Sequence, residues 1–170
     1  YVTHDQLEAM TLSTKICLLK LGVIQQYDTP LNVYNESSNT FVAGFVGNPP
    51  SNFIPATVEN GIVNALGKQF KYTVRDGEIK DGEVIIGVRP EFLKENPNGA
   101  IESEVYSALP SGMETIVKST VGDVMLTSVQ FGSVNYNAKE KLHLDFSGDK
   151  IILFDSASNE KLAIGSLERI

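Results

Sequence analysis

From Phe53 onward the sequence is a succession of short β-rich runs separated by two-residue turn signals. This alternation restricts the fold more than any other feature. The signals are Asp76-Gly77, Asp81-Gly82, Gly122-Asp123 and Gly148-Asp149. Asp and Gly tolerate the left-handed backbone that tight turns need. Among them lie Glu83 to Val88, Ile101 to Leu109, Thr115 to Val121, Val124 to Phe131 and Ile151 to Phe154. The two runs that flank Gly122-Asp123 read as a hairpin. In Leu142-His143-Leu144-Asp145-Phe146 apolar and polar residues alternate, the pattern of a strand with one buried face, which turns His143 toward solvent.

Many short strands at this spacing mean a small barrel or sandwich, and five or so of them suit a barrel of OB type. The fold class expected is therefore mainly β: an OB-like barrel over 53–170, preceded by an α/β segment over 1–50. In that segment Lys15-Ile16-Cys17-Leu18-Leu19-Lys20 is an apolar run closed by charges and reads as a strand buried on both faces. Cys17, the sole cysteine, is then a buried thiol and excludes an internal disulfide. Leu21-Gly22 is a turn, and Val23 to Tyr27 a second strand paired to the first. Thr29-Pro30 opens a helix, with Thr as N-cap and Pro in the first turn. Phe41, Val42, Phe45 and Val46 recur at helical spacing and form a core stripe. Pro49-Pro50 cannot continue a helix, so a domain boundary falls there.

The net charge is −7, with two Lys against four acids in residues 1–52 and twelve Lys/Arg against seventeen acids after them. Neither part carries a basic patch, and Trp is absent, which argues against nucleic acid as a partner. No apolar run approaches the roughly 18 residues of a membrane span. The two histidines and one cysteine lie far apart in sequence and show no metal-ligand spacing, so no metal site is expected.

The first ten residues carry the chemistry. Tyr1-Val2-Thr3-His4 reads as the end of a strand that meets a helix, with Asp5 at the helix start and Leu7 and Met10 sharing a buried face. Ligands bind at such junctions in open α/β sheets. Tyr-Val-Thr-His-Asp-Gln-Leu-Glu-Ala-Met resembles the switch-histidine (H-loop) segment of ABC-transporter ATPases, in the carbohydrate-importer subfamily that includes the maltose importer's ATPase subunit. Nine of the ten positions are typical of that subfamily, and Leu7 stands at a variable one. The resemblance implies that His4 is the switch histidine, which contacts the γ-phosphate of ATP and helps hold the attacking water, a positioning and charge-stabilising role.

The resemblance extends along the chain. Gly-Val-Ile-Gln-Gln, Thr-Pro and Phe-Val-Ala-Gly-Phe-Val-Gly-Asn-Pro-Pro-Ser-Asn-Phe look like the end of the nucleotide-binding domain and its exit linker. Ile86-Gly87-Val88-Arg89-Pro90-Glu91 resembles a motif of the C-terminal regulatory (TOBE, OB-like) domain. Read from the residues alone, Arg89 pairs with Glu91 or another acid and pins the turn, the alternative being an arginine at a strand end that binds an anion. Thr14-Lys15 and Leu31-Asn32 depart from the subfamily pattern at positions away from the nucleotide.

The resemblance implies a C-terminal fragment of the ATP-hydrolysing subunit of a sugar importer. In the full-length protein it would use ATP and Mg²⁺ and sit on the cytoplasmic face of the cell membrane. Its partners would be membrane-spanning subunits and an extracytoplasmic substrate-binding protein, and it would form a homodimer through residues 53–170. The fragment has no phosphate loop, no Ser-Gly-Gly-Gln-type signature and no acidic strand for Mg²⁺, so it is expected to be inactive alone and to need no cofactor. With its partner strands missing, residues 1–50 are expected to be partly disordered or to pair with a neighbour. The alternative is a stand-alone OB-like module that binds a small ligand, an oxyanion or an oligosaccharide.

Overall fold

The structure is a computed structural model that describes residues 1–170. The elements run α1 (Gln6–Leu12), β1 (Ile16–Lys20), β2 (Val23–Asp28), α2 (Pro30–Asn35), α3 (Thr40–Phe45), β3 (Asn52–Glu59), β4 (Ile62–Ala65), β5 (Lys68–Gly77) and β6 (Gly82–Val88). A 3₁₀ turn (Pro90–Phe92) leads into β7 (Leu93–Glu95), β8 (Ile101–Pro110), β9 (Glu114–Val121), β10 (Val124–Phe131), β11 (Lys141–Phe146), β12 (Ile151–Asp155) and β13 (Lys161–Arg169).

The chain is mainly β, with an OB-like small barrel. The closed barrel has the order β12-β13-β5-β4-β3-β6, and a five-stranded sheet has the order β10-β9-β8-β11-β7. Eleven strands thus follow Pro50 where the turn signals had pointed to five or so. The difference lies in β3, β4, β5, β7 and β13. Asn60-Gly61 joins β3 to β4 with both residues at positive φ, 51° and 78°, the geometry of a two-residue hairpin turn. Leu66-Gly67 joins β4 to β5 in the same way, at 53° and 72°, with a leucine where no turn preference exists. Asp76-Gly77, by contrast, is no hairpin turn. It ends β5, and Gly77 lies against the Leu162 carbonyl with no room for a Cβ.

Both sheets bury their inner faces in a single cluster of 23 apolar residues. Phe70 of the barrel meets Phe146 of β11 edge to face, 5.2 Å between centroids. Asn52, on β3, ties the two sheets together. Its amide donates to the carbonyls of Val88 (3.2 Å) and Thr127 (2.8 Å) and accepts from the Thr127 N–H (2.7 Å). A side chain here substitutes for a neighbouring strand along β10, an edge strand.

The first fifty residues pack differently. Thr29 and Asn39 cap α2 and α3 by accepting from Asn32 N (3.3 Å) and Val42 N (2.9 Å). Val33, Val42 and Val46 form a small core, with Met10, Ile16 and Leu18 partly buried against it. Ala43 of α3 joins Ile152, Phe154 and Ile164 on the outside of the barrel.

Several expectations are corrected here. β1 pairs with β2 and has only one face packed, against the core of Val33, Val42 and Val46. Ile16 and Leu18 take that face, while Cys17 and Leu19 point out, and the Cys17 thiol is exposed rather than buried. Tyr1 and Val2 form no strand and are almost wholly exposed, because no neighbouring strand takes up their backbone groups. His4 therefore sits at a bend before α1 and not at a strand end. Leu7 is 73% exposed, and only Met10 of that pair packs inward. In the α3 stripe Val42 and Val46 are core, whereas Phe45 is 46% exposed and stacks on Phe41.

Candidate functional site

His4 is exposed, and the backbone around it is held by its neighbours' side chains. Asp5 caps α1 by accepting from the Glu8 N–H (3.1 Å). The Thr3 hydroxyl accepts from the Asp5 N–H (3.0 Å) and donates to the Glu8 carboxylate (3.0 Å), to which the Tyr1 hydroxyl also donates (2.9 Å). The imidazole is thus carried on a short, cross-braced loop. His143 and Cys17 are not brought to it. The former lies on β11, half buried, with Nδ1 3.3 Å from the Gly99 carbonyl oxygen, and the latter on the open face of β1. No group of three His, Cys, Asp or Glu could hold a metal ion.

Two residues that the sequence did not mark as functional connect the His4 loop to the rest of the molecule. Gln6, two residues on, uses both ends of its side-chain amide. It donates to the Phe45 carbonyl (2.6 Å) and accepts from the Gly47 N–H (3.0 Å). The turn that follows α3 is thereby fastened to the start of α1.

Arg89 holds the same turn from the barrel side. It directly follows β6 and is 3% exposed. Contrary to expectation it pairs with no acid. Nη1 donates to the carbonyls of Ala43 (3.0 Å) and Val46 (2.5 Å). Nε and Nη2 donate to the Tyr34 carbonyl (3.1 and 2.7 Å), and Nη2 also donates to the Ser37 hydroxyl (3.3 Å). These carbonyls lie at the C-terminal ends of α2 and α3, where the Ala43 oxygen also accepts from the Ser51 N–H (3.2 Å) and a cation meets the negative ends of both helix dipoles. Burial pushes the guanidinium pKa down, but an arginine stays charged in proteins. The guanidinium lies over the Tyr34 ring, 4.0 Å from its centroid, and the Tyr34 hydroxyl donates to Glu91 (2.7 Å). Burial first, then that carboxylate, holds the Tyr34 phenol well above its ordinary pKa.

The motif around Arg89 is explained by these contacts. Gly87 leaves room for the Phe154 ring, which a Cβ would strike. Pro90 starts the 3₁₀ turn that presents Glu91 to Tyr34. Gly47 has φ +99°, and a Cβ there would stand 3.0 Å from Arg89 Nη1 and 3.1 Å from the Tyr34 ring. The signal missed in the sequence was an arginine ending a β run that is otherwise apolar: such a cation is buried, and what it faces is backbone.

Two open grooves of about 640 and 620 Å³ flank the β4–β5 turn. Lys68, His143 and Arg169 line the second, and His4 lines neither. No helix is long and apolar enough to cross a membrane.

No family model matches the chain. Relatives place it nonetheless: over 92–96% of its length it is homologous to the C-terminal part of ABC transporter ATP-binding proteins, among them importers. It is 38% identical over 167 residues to the uncharacterized ABC transporter ATP-binding protein y4oS of Sinorhizobium fredii, covering 96% of this chain and 45% of that one. It is 34% identical over 169 residues to the sulfoquinovosyl glycerol transport ATP-binding protein SmoE of Agrobacterium fabrum, covering 95% and 47%. Identity to the sn-glycerol-3-phosphate import ATP-binding protein UgpC of a Ruegeria species is 30% over 165 residues, covering 96% and 46%. The chain thus spans about half the length of the curated relatives it matches.

Proposed function

We propose that this chain works as the C-terminal part of the ATP-hydrolysing subunit of an ABC-type carbohydrate importer. Residues 1–50 form the tail of the nucleotide-binding domain, and 53–170 form the regulatory domain. His4 is the switch histidine: in the full-length protein it contacts the γ-phosphate and orients the attacking water, while ATP and Mg²⁺ are bound by residues outside this chain. The observation that carries the reading is the opening segment, in which an exposed histidine stands on a cross-braced loop within a sequence typical of importer ATPases. The subunit would act as a homodimer through residues 53–170, on the cytoplasmic face of the membrane, with membrane-spanning subunits and a substrate-binding protein as partners.

The coding sequence upstream of Tyr1 tests this directly. A phosphate loop, a Ser-Gly-Gly-Gln-type signature and an acidic strand within the preceding domain's worth of codons are expected. An unrelated reading frame there would overturn the proposal.

A further inference from the structure

The backbone from Ala43 to Gly47 is claimed by two side chains from opposite directions. Gln6 takes the Phe45 carbonyl and the Gly47 N–H. Arg89 takes the Ala43 and Val46 carbonyls. The two are 83 residues apart in sequence, one next but one to His4 and the other at the end of a barrel strand. Between them the turn has little freedom. Its glycine has φ +99° and leaves little room for a Cβ beside the Arg89 guanidinium and the Tyr34 ring, and the cap N–H of Val46 is bonded back to Val42. On the barrel side Arg89 is itself fixed by the Tyr34 stack, and Tyr34 by Glu91.

We infer that Gln6 is a positioning residue for His4, and that Arg89, the turn 43–47 and Gln6 form a mechanical link from the barrel to the switch histidine. A displacement of the β6 end moves Arg89. The turn follows, because Arg89 gives the Ala43 and Val46 carbonyls charge-assisted hydrogen bonds, and the one further donor to them is the neutral Ser51 N–H on Ala43 (3.2 Å). Gln6, bonded on both sides of Phe45–Gly47, passes the displacement to the start of α1. His4 lies two residues before Gln6, on a loop braced to the same helix by Thr3, Asp5 and Glu8. The role of the link in hydrolysis rests on the functional reading above, whereas the link itself does not.

The chain holds two histidines, and the second, on β11, serves as an internal reference. In the 170-residue chain, imidazole NMR signals are recorded for the native sequence, Arg89→Lys, Gln6→Leu and the double variant. Lysine keeps the charge but cannot span the carbonyls of both helices. Arg89→Lys is expected to move the His4 signal and leave His143 in place, and the same change in the Gln6→Leu background is expected to leave His4 still. Gln6 is partly exposed, and the backbone amide signals of α2 and α3 in Gln6→Leu check that the fold is kept. A His4 signal that ignores Arg89→Lys, one that responds equally without Gln6, or a common shift of both histidines would overturn the link. In the full-length ATPase, Gln6→Leu should lower kcat by up to about a hundredfold with little change in KM for ATP, as expected of lost positioning. An NMR response without a kcat effect would leave the link standing and remove its role in hydrolysis.

Discussion

Residues 52–169 and residues 1–50 are held together by different means. The former bury 23 apolar side chains in one cluster that runs through both sheets. The latter bury three valines of their own, and depend for the rest on Ala43 against the barrel, on Gln6 and on one arginine. A core of that size tolerates the loss of any single polar contact. The small one has less to spare, since the carbonyls of Tyr34, Ala43 and Val46 at its helix ends all draw hydrogen bonds from one residue, Arg89. The difference shows how a weakly packed segment takes its order from a strongly packed one: through directed hydrogen bonds from a buried cation, each worth roughly 1.5–3 kcal/mol, and only secondarily through apolar area.

The comparison can be broken at either end. Leu153→Ala opens a cavity in the large core, where Leu153 is fully buried. It should cost about 2–5 kcal/mol and lower the urea midpoint of the whole chain, read by tyrosine fluorescence. Arg89→Met keeps the apolar stem and removes every donor. Carbonyls of Tyr34 and Val46 lose the Arg89 donors, that of Ala43 keeps only the Ser51 N–H, and the cost should be about 3 kcal/mol. Its signature is local: amide exchange should accelerate in α2 and α3 while β3 and β4 keep their protection. Equal acceleration everywhere would show that the two regions unfold as one.

Gly47→Ala sharpens the same point with a smaller effect. The backbone there is left-handed and the space is filled by Arg89 and Tyr34, so a loss of about 1–3 kcal/mol is expected in denaturant melts.

The smallest effect depends on pH. The Tyr34 phenol at the joint and the Tyr72 phenol in the barrel, which donates to the Ile151 carbonyl, are both held above their ordinary value, chiefly by burial. A phenol whose folded pKa is raised contributes stability that is fully present below its unfolded value of about 10 and is lost as the pH rises beyond it. No change is expected at neutral pH, and Tyr34→Phe should weaken the alkaline loss in α2 and α3 without altering it in the barrel.

Much of this was legible in the sequence. The Gly122-Asp123 hairpin, the alternating strand at 142–146, the Thr29-Pro30 helix start and the run 83–88 stand where pattern and turn chemistry put them. Asn60-Gly61 was an equally good signal, and reading it would have found β3 and β4. Leu66-Gly67 and the three-residue β7 carry no local signature and exist because the sheets around them require a connection and a partner. Cys17 was misplaced because an apolar run does not say how many faces of a strand are packed over, and here only the Ile16/Leu18 face is. Arg89 was misread because sequence shows acids nearby but not the helix ends that folding brings to it. His4 was marked by its motif, and its connection to the barrel through Gln6 emerges only in three dimensions.

The most direct test of the central claim is ATP turnover by the full-length protein with His4→Ala. The substitution should abolish most hydrolysis while ATP binding, measured separately, stays within a few-fold of native, because a switch histidine acts on the transferring phosphate and not on nucleotide affinity. Undiminished turnover in the variant would contradict the assignment of His4.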